Sequence, residues 1–391
     1  MKAVAVVLAC AALAACDFSQ PDFPRAPYRL AEPSDNEQHI ARVMCSVPLK
    51  GNRMRIDQAL AATQSPGVSA AAMVGGQVVW ARAYGSADPT RNRIMTPETV
   101  LQAASVSKPM TAVAIMKMVQ AGELSLDSDV TDAVGWEPRN SGHTRITLRQ
   151  LMSHTSGLGI HGFGGYPRNR GELPATLDVL NGVGANSARV RLEHPPGETH
   201  YSGGGWTLVQ AYVEEEVTSP FEQAMYEWLI KPFRLSHSTF VQPIDDAHVG
   251  YAASAFIDGM PVPMGHHVYP EKAAAGMWTT PTDLLTVGAA LMNAYNGAPG
   301  PLSQATVREM MTPVVAGQTF GLGFAIKFDG QVLEASHGGT NRGFSSKIII
   351  RSDGFGAAVM VNTNGPLAGA VARSIGEEYG WDGTKPVNAC N

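Results

Sequence analysis

The chain has 391 residues, of which 44% are hydrophobic and 16% are charged, and its formal net charge at pH 7 is −5. This composition is typical of a globular protein with a large apolar core and excludes a largely disordered chain. Because no run of lysine or arginine stands out, the sequence lacks the electrostatic footprint of a nucleic-acid-binding protein.

The N-terminus predicts export. Residues 1–15 contain one lysine followed by a short apolar run, which is typical of a signal peptide and too short to span a membrane. Residues 13–16 (LAAC) resemble the lipobox of bacterial lipoproteins, which implies cleavage before Cys16, lipidation of its thiol and anchoring in the bacterial envelope, facing the periplasm. Asp17 favours retention at the inner membrane. The alternative is a plain secretory signal that is cleaved nearby.

A tether and a single domain follow. Residues 16–36 are proline-rich and mixed in charge, which predicts an extended, lipid-anchored tether. Folded sequence is expected over residues 37–391.

The residues after position 100 predict a buried helix. From Ser105 to Ala121 the helical pattern is apolar nearly all round, which indicates burial on most sides. Gly122 provides the stop signal. Pro109 is tolerated only near a helix start, so Ser105 is expected in or just before the first turn.

Strand patterns occur at both ends of the chain. Residues 67–84, 320–337 and 344–363 each predict a hairpin around a Gly-Gly or Asp-Gly turn. The region of about 125–315 between them is loop-rich with helical patches, and the last pattern, 367–379, is helical. We therefore predict an α/β (α+β) fold in which an antiparallel sheet, built from both chain ends and flanked by helices, carries a mostly helical inserted subdomain.

This topology bears on the cysteines. Once the signal peptide and the lipid site are set aside, Cys45 and Cys390 remain. Spacing alone leaves a disulfide and two unpaired thiols equally open, and a sheet that joins the chain ends favours the disulfide.

Ser105 and Lys108 form the only Ser-x-x-Lys in the chain. Residues at i and i+3 share a helix face, so the two side chains can meet. A lysine in apolar surroundings has its charged form disfavoured and can take a proton from the serine. The helix N-terminus favours an oxyanion beside Ser105. The alternative is a serine near a helix start with a surface lysine, and the motif alone does not decide.

Two further stretches hold side chains suited to proton transfer. Tyr201 lies in a Pro/Gly-rich loop before a predicted helix, where a phenol can relay protons between a serine and a leaving group. His337 is expected at a strand end, before Gly338 and Gly339, and glycines there allow a substrate to approach the strand edge closely. Taken alone, Tyr201 is more typical of an ordinary capping aromatic and His337 of an ordinary turn residue.

Together these motifs resemble the serine β-lactamase-related family, which comprises class C β-lactamases, D-alanyl-D-alanine peptidases and related esterases. The matches occur in the family's order: Ser105-Val-Ser-Lys108 for its Ser-x-x-Lys, Tyr201-Ser-Gly203 at its Tyr-x-Asn, and His337-Gly-Gly339 at its Lys-Thr-Gly or His-x-Gly. Segments 148–158 and 274–288 resemble two further markers. The resemblance covers about residues 50–380 and implies a β-lactamase/transpeptidase-like fold.

The resemblance also implies a mechanism without a metal or cofactor. Ser105 would attack a carbonyl, with Lys108 and Tyr201 as the base and proton-relay pair, and which of the two takes the proton stays open. The oxyanion would lie between the backbone N–H groups of Ser105 and Thr340, beside Gly338 and Gly339. Water would then hydrolyse the acyl-enzyme.

Two departures from the family limit the substrate. Gly203 replaces the Asn that helps to bind the substrate's amide side chain, and His337 replaces the Lys associated with a substrate carboxylate. Both put strong β-lactamase activity in doubt and favour a hydrolase of an ester or amide, either an esterase or a peptidase of unusual specificity, acting on a small-molecule or peptide substrate. The alternatives are a peptidase or β-lactamase acting on cell-wall peptides or β-lactams, and a non-turnover penicillin-binding-like scaffold or sensor.

Overall fold

The computed structural model describes residues 33–138 and 145–381. Among these residues, no helix is both long and apolar enough to cross a membrane. The expected signal peptide, Cys16 and Asp17 lie outside the described residues. Cys390 lies outside them as well, and although Cys45 is held in a disulfide, its pairing with Cys390 stays a prediction.

The described part of the chain contains both short and long strands. They are β1 (Val47–Leu49), β2 (Asn52–Met54), β3 (Gly67–Val74), β4 (Gln77–Asp88), β5 (Arg93–Ile94), β6 (Leu101–Gln102), β7 (Tyr166–Pro167), β8 (Phe256–Ile257), β9 (Met260–Pro261), β10 (His267–Val268), β11 (Trp278–Thr279), β12 (Ala325–Asp329), β13 (Val332–Asn341), β14 (Phe344–Arg351) and β15 (Gly356–Val361).

The helices of the described residues lie mainly between β6 and β12. They are α1 (Pro33–Cys45), α2 (Ile56–Ala62), α3 (Ser107–Ala121), α4 (Val130–Val134), α5 (Leu148–Met152), α6 (Thr176–Asn181), α7 (Gly203–Val217), α8 (Phe221–Met225), α9 (Lys231–Phe233), α10 (Asp246–Val249), α11 (Lys272–Ala275), α12 (Pro281–Tyr295), α13 (Gln304–Met310) and α14 (Leu367–Glu378). α1 begins inside the stretch expected to be the tether.

A seven-stranded antiparallel sheet organises the fold, in the order β12-β13-β14-β15-β3-β4-β5. β15, from the C-terminal part, pairs with β3, from the N-terminal part, so both ends of the chain build the sheet. The predicted fold class is confirmed, and so are the three predicted hairpins.

Successive side chains of a strand point to opposite faces of the sheet, so each face packs on a hydrophobic core of its own. One face packs on a core that contains Ile348 and Ile350 of β14 together with α3, α7 and α12. The other face, towards Ile349, packs on α1, α2 and α14. We call these the helical-domain face and the terminal-helix face.

The buried helix forms as predicted. α3 runs from Ser107 to Ala121, and most of its residues are buried. Gly122 ends it with a φ of 82°, a left-handed conformation in which glycine is unstrained. A 3₁₀ turn over Ala104–Val106 precedes it, so Ser105 lies just before the first α-helical turn.

β13 is longer than the sequence indicates. His337 was expected at a strand end, but β13 continues to Asn341 because β14 pairs with it over that whole length. On its other side, the ladder with β12 ends at Ser336 opposite Ala325. His337 therefore lies where one edge of β13 loses its neighbouring strand.

Candidate active site

The turn that carries Ser105 is anchored at Ala103, two residues earlier. Ala103 donates its N–H to the carbonyl of Met277 (2.9 Å) and accepts from the Ser346 hydroxyl (2.6 Å). Ala104 has a φ of 51°, which is uncommon for a residue with a Cβ. Such strain persists only where the surroundings impose it, and here it directly precedes the candidate nucleophile.

Lys108 meets Ser105 as the Ser-x-x-Lys spacing predicts. Its Nζ lies 3.1 Å from Ser105 Oγ and donates to the carbonyl of Ala274 at 2.7 Å. Only 1% of Lys108 is exposed. Burial lowers the pKa of Lys108 to about 7, because the charged form loses its hydration. At neutral pH a large fraction of this amine is therefore unprotonated and able to accept the serine proton.

Tyr201 is held in place by His154, which lies two residues after the end of α5. The ring centroids of Tyr201 and His154 are 4.2 Å apart in a stacked arrangement, and His154 Nδ1 accepts the backbone N–H of Ser202 at 3.0 Å. Lys108 Nζ lies 5.1 Å from the centre of the Tyr201 ring.

The protonation state of Tyr201 follows from its surroundings. Burial raises the pKa of Tyr201 to about 12, although a side-chain hydrogen bond with Ser105 opposes the shift. The phenol therefore stays protonated at neutral pH, where it can donate or relay a proton but cannot act as a phenolate base.

His337, on β13, faces the Tyr201 ring, and the two ring centroids are 5.9 Å apart. Burial, together with the positive charge of a protonated Lys108, lowers the pKa of His337 to about 3, so the imidazole is neutral. Its Nδ1 lies 2.6 Å from the carbonyl of Gly338, so the proton belongs on Nδ1. Nε2 is then a buried acceptor without a hydrogen-bond partner in the described part of the chain. At this position His337 supplies a neutral acceptor rather than a positive charge.

The two glycines after His337 differ in what surrounds them. A Cβ on Gly339 would lie 2.4 Å from the carbonyl oxygen of Ala103 and from Ser346 Oγ, and 3.0 Å from Ser105 N. A Cβ on Gly338 would meet only a backbone oxygen, at 3.9 Å. Gly339 thus lets the nucleophile turn approach β13, whereas Gly338 leaves open space at the strand edge.

Gly203 begins α7, directly after Tyr201 and Ser202. A Cβ at this position would lie 2.9 Å from the carbonyl oxygen of His161 and 3.2 Å from the Phe163 ring. The loop through His161 therefore occupies the space that a larger side chain at position 203 would need.

A cavity of about 730 Å³ joins these groups. Ser105, Tyr201, His337, Gly338, Gly339 and Thr340 line it, and Lys108 lies beneath, in contact with Ser105. Gly203 is not among the residues that line it. Among the described residues, no cluster of three or more His, Cys, Asp or Glu side chains is arranged to hold a metal ion.

Sequence reasoning missed several residues that line this cavity. They are His161, Phe163, Phe320, Ser346 and Lys347. His161 lies with its ring centroid 4.7 Å from that of Tyr201. A lone histidine in a glycine-rich loop carries no local signal, and only the packing of that loop on Gly203 brings it to the site.

The arrangement defines a class of chemistry. A serine hydroxyl lies against an amine of lowered pKa, beside a protonated phenol, in a cavity that admits a carbonyl compound. These are the groups that a serine hydrolase uses.

Comparison with known proteins agrees with this class. The family model described as Beta-lactamase matches residues 53–378. The chain therefore belongs to the beta-lactamase family, as the motifs at positions 105, 201 and 337 predicted.

Individual relatives match over shorter stretches. The chain is 29% identical to Esterase EstB of Burkholderia gladioli over 53% of this chain and 54% of the esterase. It is 28% identical to Protein flp of Staphylococcus aureus (strain MW2) over 45% of this chain and 35% of that protein. The matched region thus spans about half of one relative and about a third of the other.

A solved structure supports the fold. The octameric penicillin-binding protein homologue from Pyrococcus abyssi superposes with a TM-score of 0.70 at 23% identity, covering 85% of this chain and 77% of the other.

Proposed function

We propose that this protein hydrolyses an ester or amide through a covalent acyl-enzyme on Ser105. The observation that carries the proposal is the 3.1 Å approach of Lys108 Nζ to Ser105 Oγ, with the lysine pKa lowered to about 7. Structural lysines on a helix surface keep their charge, whereas this one is buried without a carboxylate partner among the described residues.

In the acylation step, Lys108 Nζ takes the hydroxyl proton as Ser105 Oγ bonds to the substrate's carbonyl carbon. The tetrahedral intermediate carries its negative charge on the former carbonyl oxygen. Backbone N–H groups of Ser105 and Thr340, which line the same cavity, are the proposed donors to that oxygen. The carbon–leaving-group bond then breaks, and Tyr201 passes the proton held by Lys108 to the leaving group.

Deacylation runs the same steps with water. A water molecule gives a proton to Lys108 as its oxygen attacks the acyl carbon. The bond to Ser105 Oγ breaks, the serine regains its proton and the carboxylic acid departs. Assigning the base role to Lys108 rather than Tyr201 follows from their pKa values, about 7 and about 12.

An ester is the preferred substrate class in this proposal. Glycine at position 203 offers no side-chain amide to a substrate peptide bond, and neutral His337 offers no positive charge to a substrate carboxylate. Esterase EstB, a relative of this chain, is named as an esterase.

We further propose that the mature protein is exported and anchored through a lipid on Cys16. The support is the LAAC sequence at residues 13–16. Metabolic labelling with a palmitate analogue tests it, and Cys16→Ser protein that still carries the label would contradict it.

The activity is tested by following p-nitrophenyl butyrate hydrolysis by protein that starts after Cys16, alongside Ser105→Ala. The proposal predicts turnover that disappears in Ser105→Ala, together with a butyryl adduct on the Ser105 peptide in mass spectra of quenched wild-type protein. Equal turnover by both proteins contradicts the assignment of Ser105. Absence of wild-type turnover contradicts the esterase proposal.

A further inference from the structure

Lys347 of β14 is a lysine at the active-site cavity with no assigned role. It is paired in register with Gly338 of β13. Its neighbours in β14, Ser346 and Ile348, point to the helical-domain face, where Ser346 contacts the Ala103 carbonyl. Lys347 therefore points to the terminal-helix face, underneath the open strand edge at Gly338.

The ammonium group of Lys347 is poorly compensated. Its Nζ donates to the Ser336 hydroxyl at 3.4 Å, a long hydrogen bond. Lys347 forms no ion pair among the described residues: the carboxylate of Glu334 on β13 acts on it only from a distance and pairs with Arg351 at 3.4 Å. The side chain is partly buried, and burial lowers the pKa of Lys347 more than Glu334 raises it. A partly desolvated cation whose hydrogen bond within the described residues is this long favours an anion beside it.

The cavity provides a path from Ser105 to this cation. Ser105 and Lys347 line the same 730 Å³ space, which passes the edge of β13 at Gly338 and reaches Gly369 of α14. The passage is open because Gly338 has no side chain and β12 does not extend this far.

Positive charge continues beyond Lys347. A second cavity of about 590 Å³ also includes Lys347 and Gly369. Lys50, Lys327 and Arg373 line it as well. Its two carboxylates are engaged elsewhere, Glu334 with Arg351 and Glu377 with Arg53. The space that leads away from Ser105 is therefore lined with excess positive charge.

We propose that Lys347 and Ser336 form a subsite for a carboxylate carried by the substrate, reached from Ser105 across Gly338. The subsite rests on the proposed hydrolysis at Ser105 and deepens it, since it specifies the substrate class as an ester with a free carboxylate on its acyl or alcohol part. It lies on the terminal-helix face of β13, separate from the helical-domain face on which His337 lies.

The test compares charged esters with neutral ones of matched size. On the acyl side, the pair is mono-4-nitrophenyl glutarate and its methyl ester. On the alcohol side, it is 4-carboxyphenyl butyrate and its methyl ester. In at least one pair, the wild-type protein should favour the charged ester in kcat/KM, and Lys347→Met should lower that charged-to-neutral ratio about 10-fold, the loss expected for one charge-assisted contact. Lys117→Met, the same charge change at a residue that lines neither cavity, should leave the ratio unchanged.

Two outcomes overturn the subsite: a wild-type protein without preference for the charge in either pair, or a ratio that Lys117→Met lowers as much as Lys347→Met. Calorimetric binding of mono-4-nitrophenyl glutarate to Ser105→Ala, with and without Lys347→Met, separates the two proposals. Lys347-dependent binding without wild-type turnover supports the subsite and contradicts the hydrolase. Turnover with binding and ratios that do not depend on Lys347 contradicts the subsite alone.

Discussion

On the nucleophile side of the cavity, formed by Ser105, Lys108 and Tyr201, each functional side chain is held by defined contacts. The strand side, formed by residues 337–340, has few side-chain groups: Gly338 leaves open space, Gly339 admits the nucleophile turn, and the buried His337 carries no charge. The first arrangement suits the proposed nucleophilic attack, because positions and pKa values are fixed before substrate binds. The second leaves space for a substrate, so substrate selectivity is expected to depend on residues such as Lys347 on the terminal-helix face of the sheet.

The largest effect should come from the base on the nucleophile side. Lys108→Met keeps the length of the side chain but removes the proton acceptor from Ser105. We expect kcat/KM for p-nitrophenyl butyrate to fall about 10³-fold, in the range of general-base contributions. Thermal unfolding shows whether the variant is folded. A folded Lys108→Met protein with near-wild-type activity would show that another group takes the proton.

A smaller effect should distinguish the role of Tyr201. Tyr201→Phe removes the hydroxyl and keeps the ring that stacks on His154. Because p-nitrophenolate leaves without a proton whereas an alkoxide does not, kcat/KM should fall about 10-fold for p-nitrophenyl butyrate and about 100-fold for methyl butyrate. An equal loss on both substrates would contradict a proton-relay role and indicate a structural one.

The strand side is tested by its two glycines. Gly339→Ala places a Cβ 2.4 Å from the Ala103 carbonyl oxygen and Ser346 Oγ, so it should reduce the free energy of unfolding by about 1–3 kcal/mol and lower kcat by displacing the nucleophile turn. Gly338→Ala, which meets nothing closer than 3.9 Å, is the matched control and should change the free energy of unfolding by less than about 0.5 kcal/mol. Urea unfolding measures both. Equal destabilisation by the two substitutions would show that the close approach at Gly339 does not affect the free energy of unfolding.

The sequence pointed to residues on both sides of the cavity, but not to several others that line it, for a physical reason. Ser105 and Lys108 are three residues apart on one helix, so helical spacing alone brings them together, and the apolar pattern of α3 predicts the buried lysine. The strands of the sheet were equally predictable from the sequence, because period-2 runs and Asp-Gly turns are local signals.

The sequence around Lys347 and around His161 carries no local signal that places either residue at the cavity. Lys347 becomes part of the cavity only through the register of β13 with β14 and the early end of β12, and His161 only through the packing of its loop on Gly203. Register and loop packing are set by contacts between distant parts of the chain, which a single sequence does not display.

The most direct test of this mechanism is the pH dependence of the acylation rate, measured as the pre-steady-state burst of p-nitrophenol with p-nitrophenyl butyrate. Lys108 accepts a proton only when it is unprotonated, and its pKa is lowered to about 7. The rate should therefore rise tenfold per pH unit below about pH 7 and level off above it, because Tyr201 keeps its proton up to about pH 12. A rate that keeps rising from pH 7 to pH 10 without a plateau would contradict a neutral Lys108 as the base.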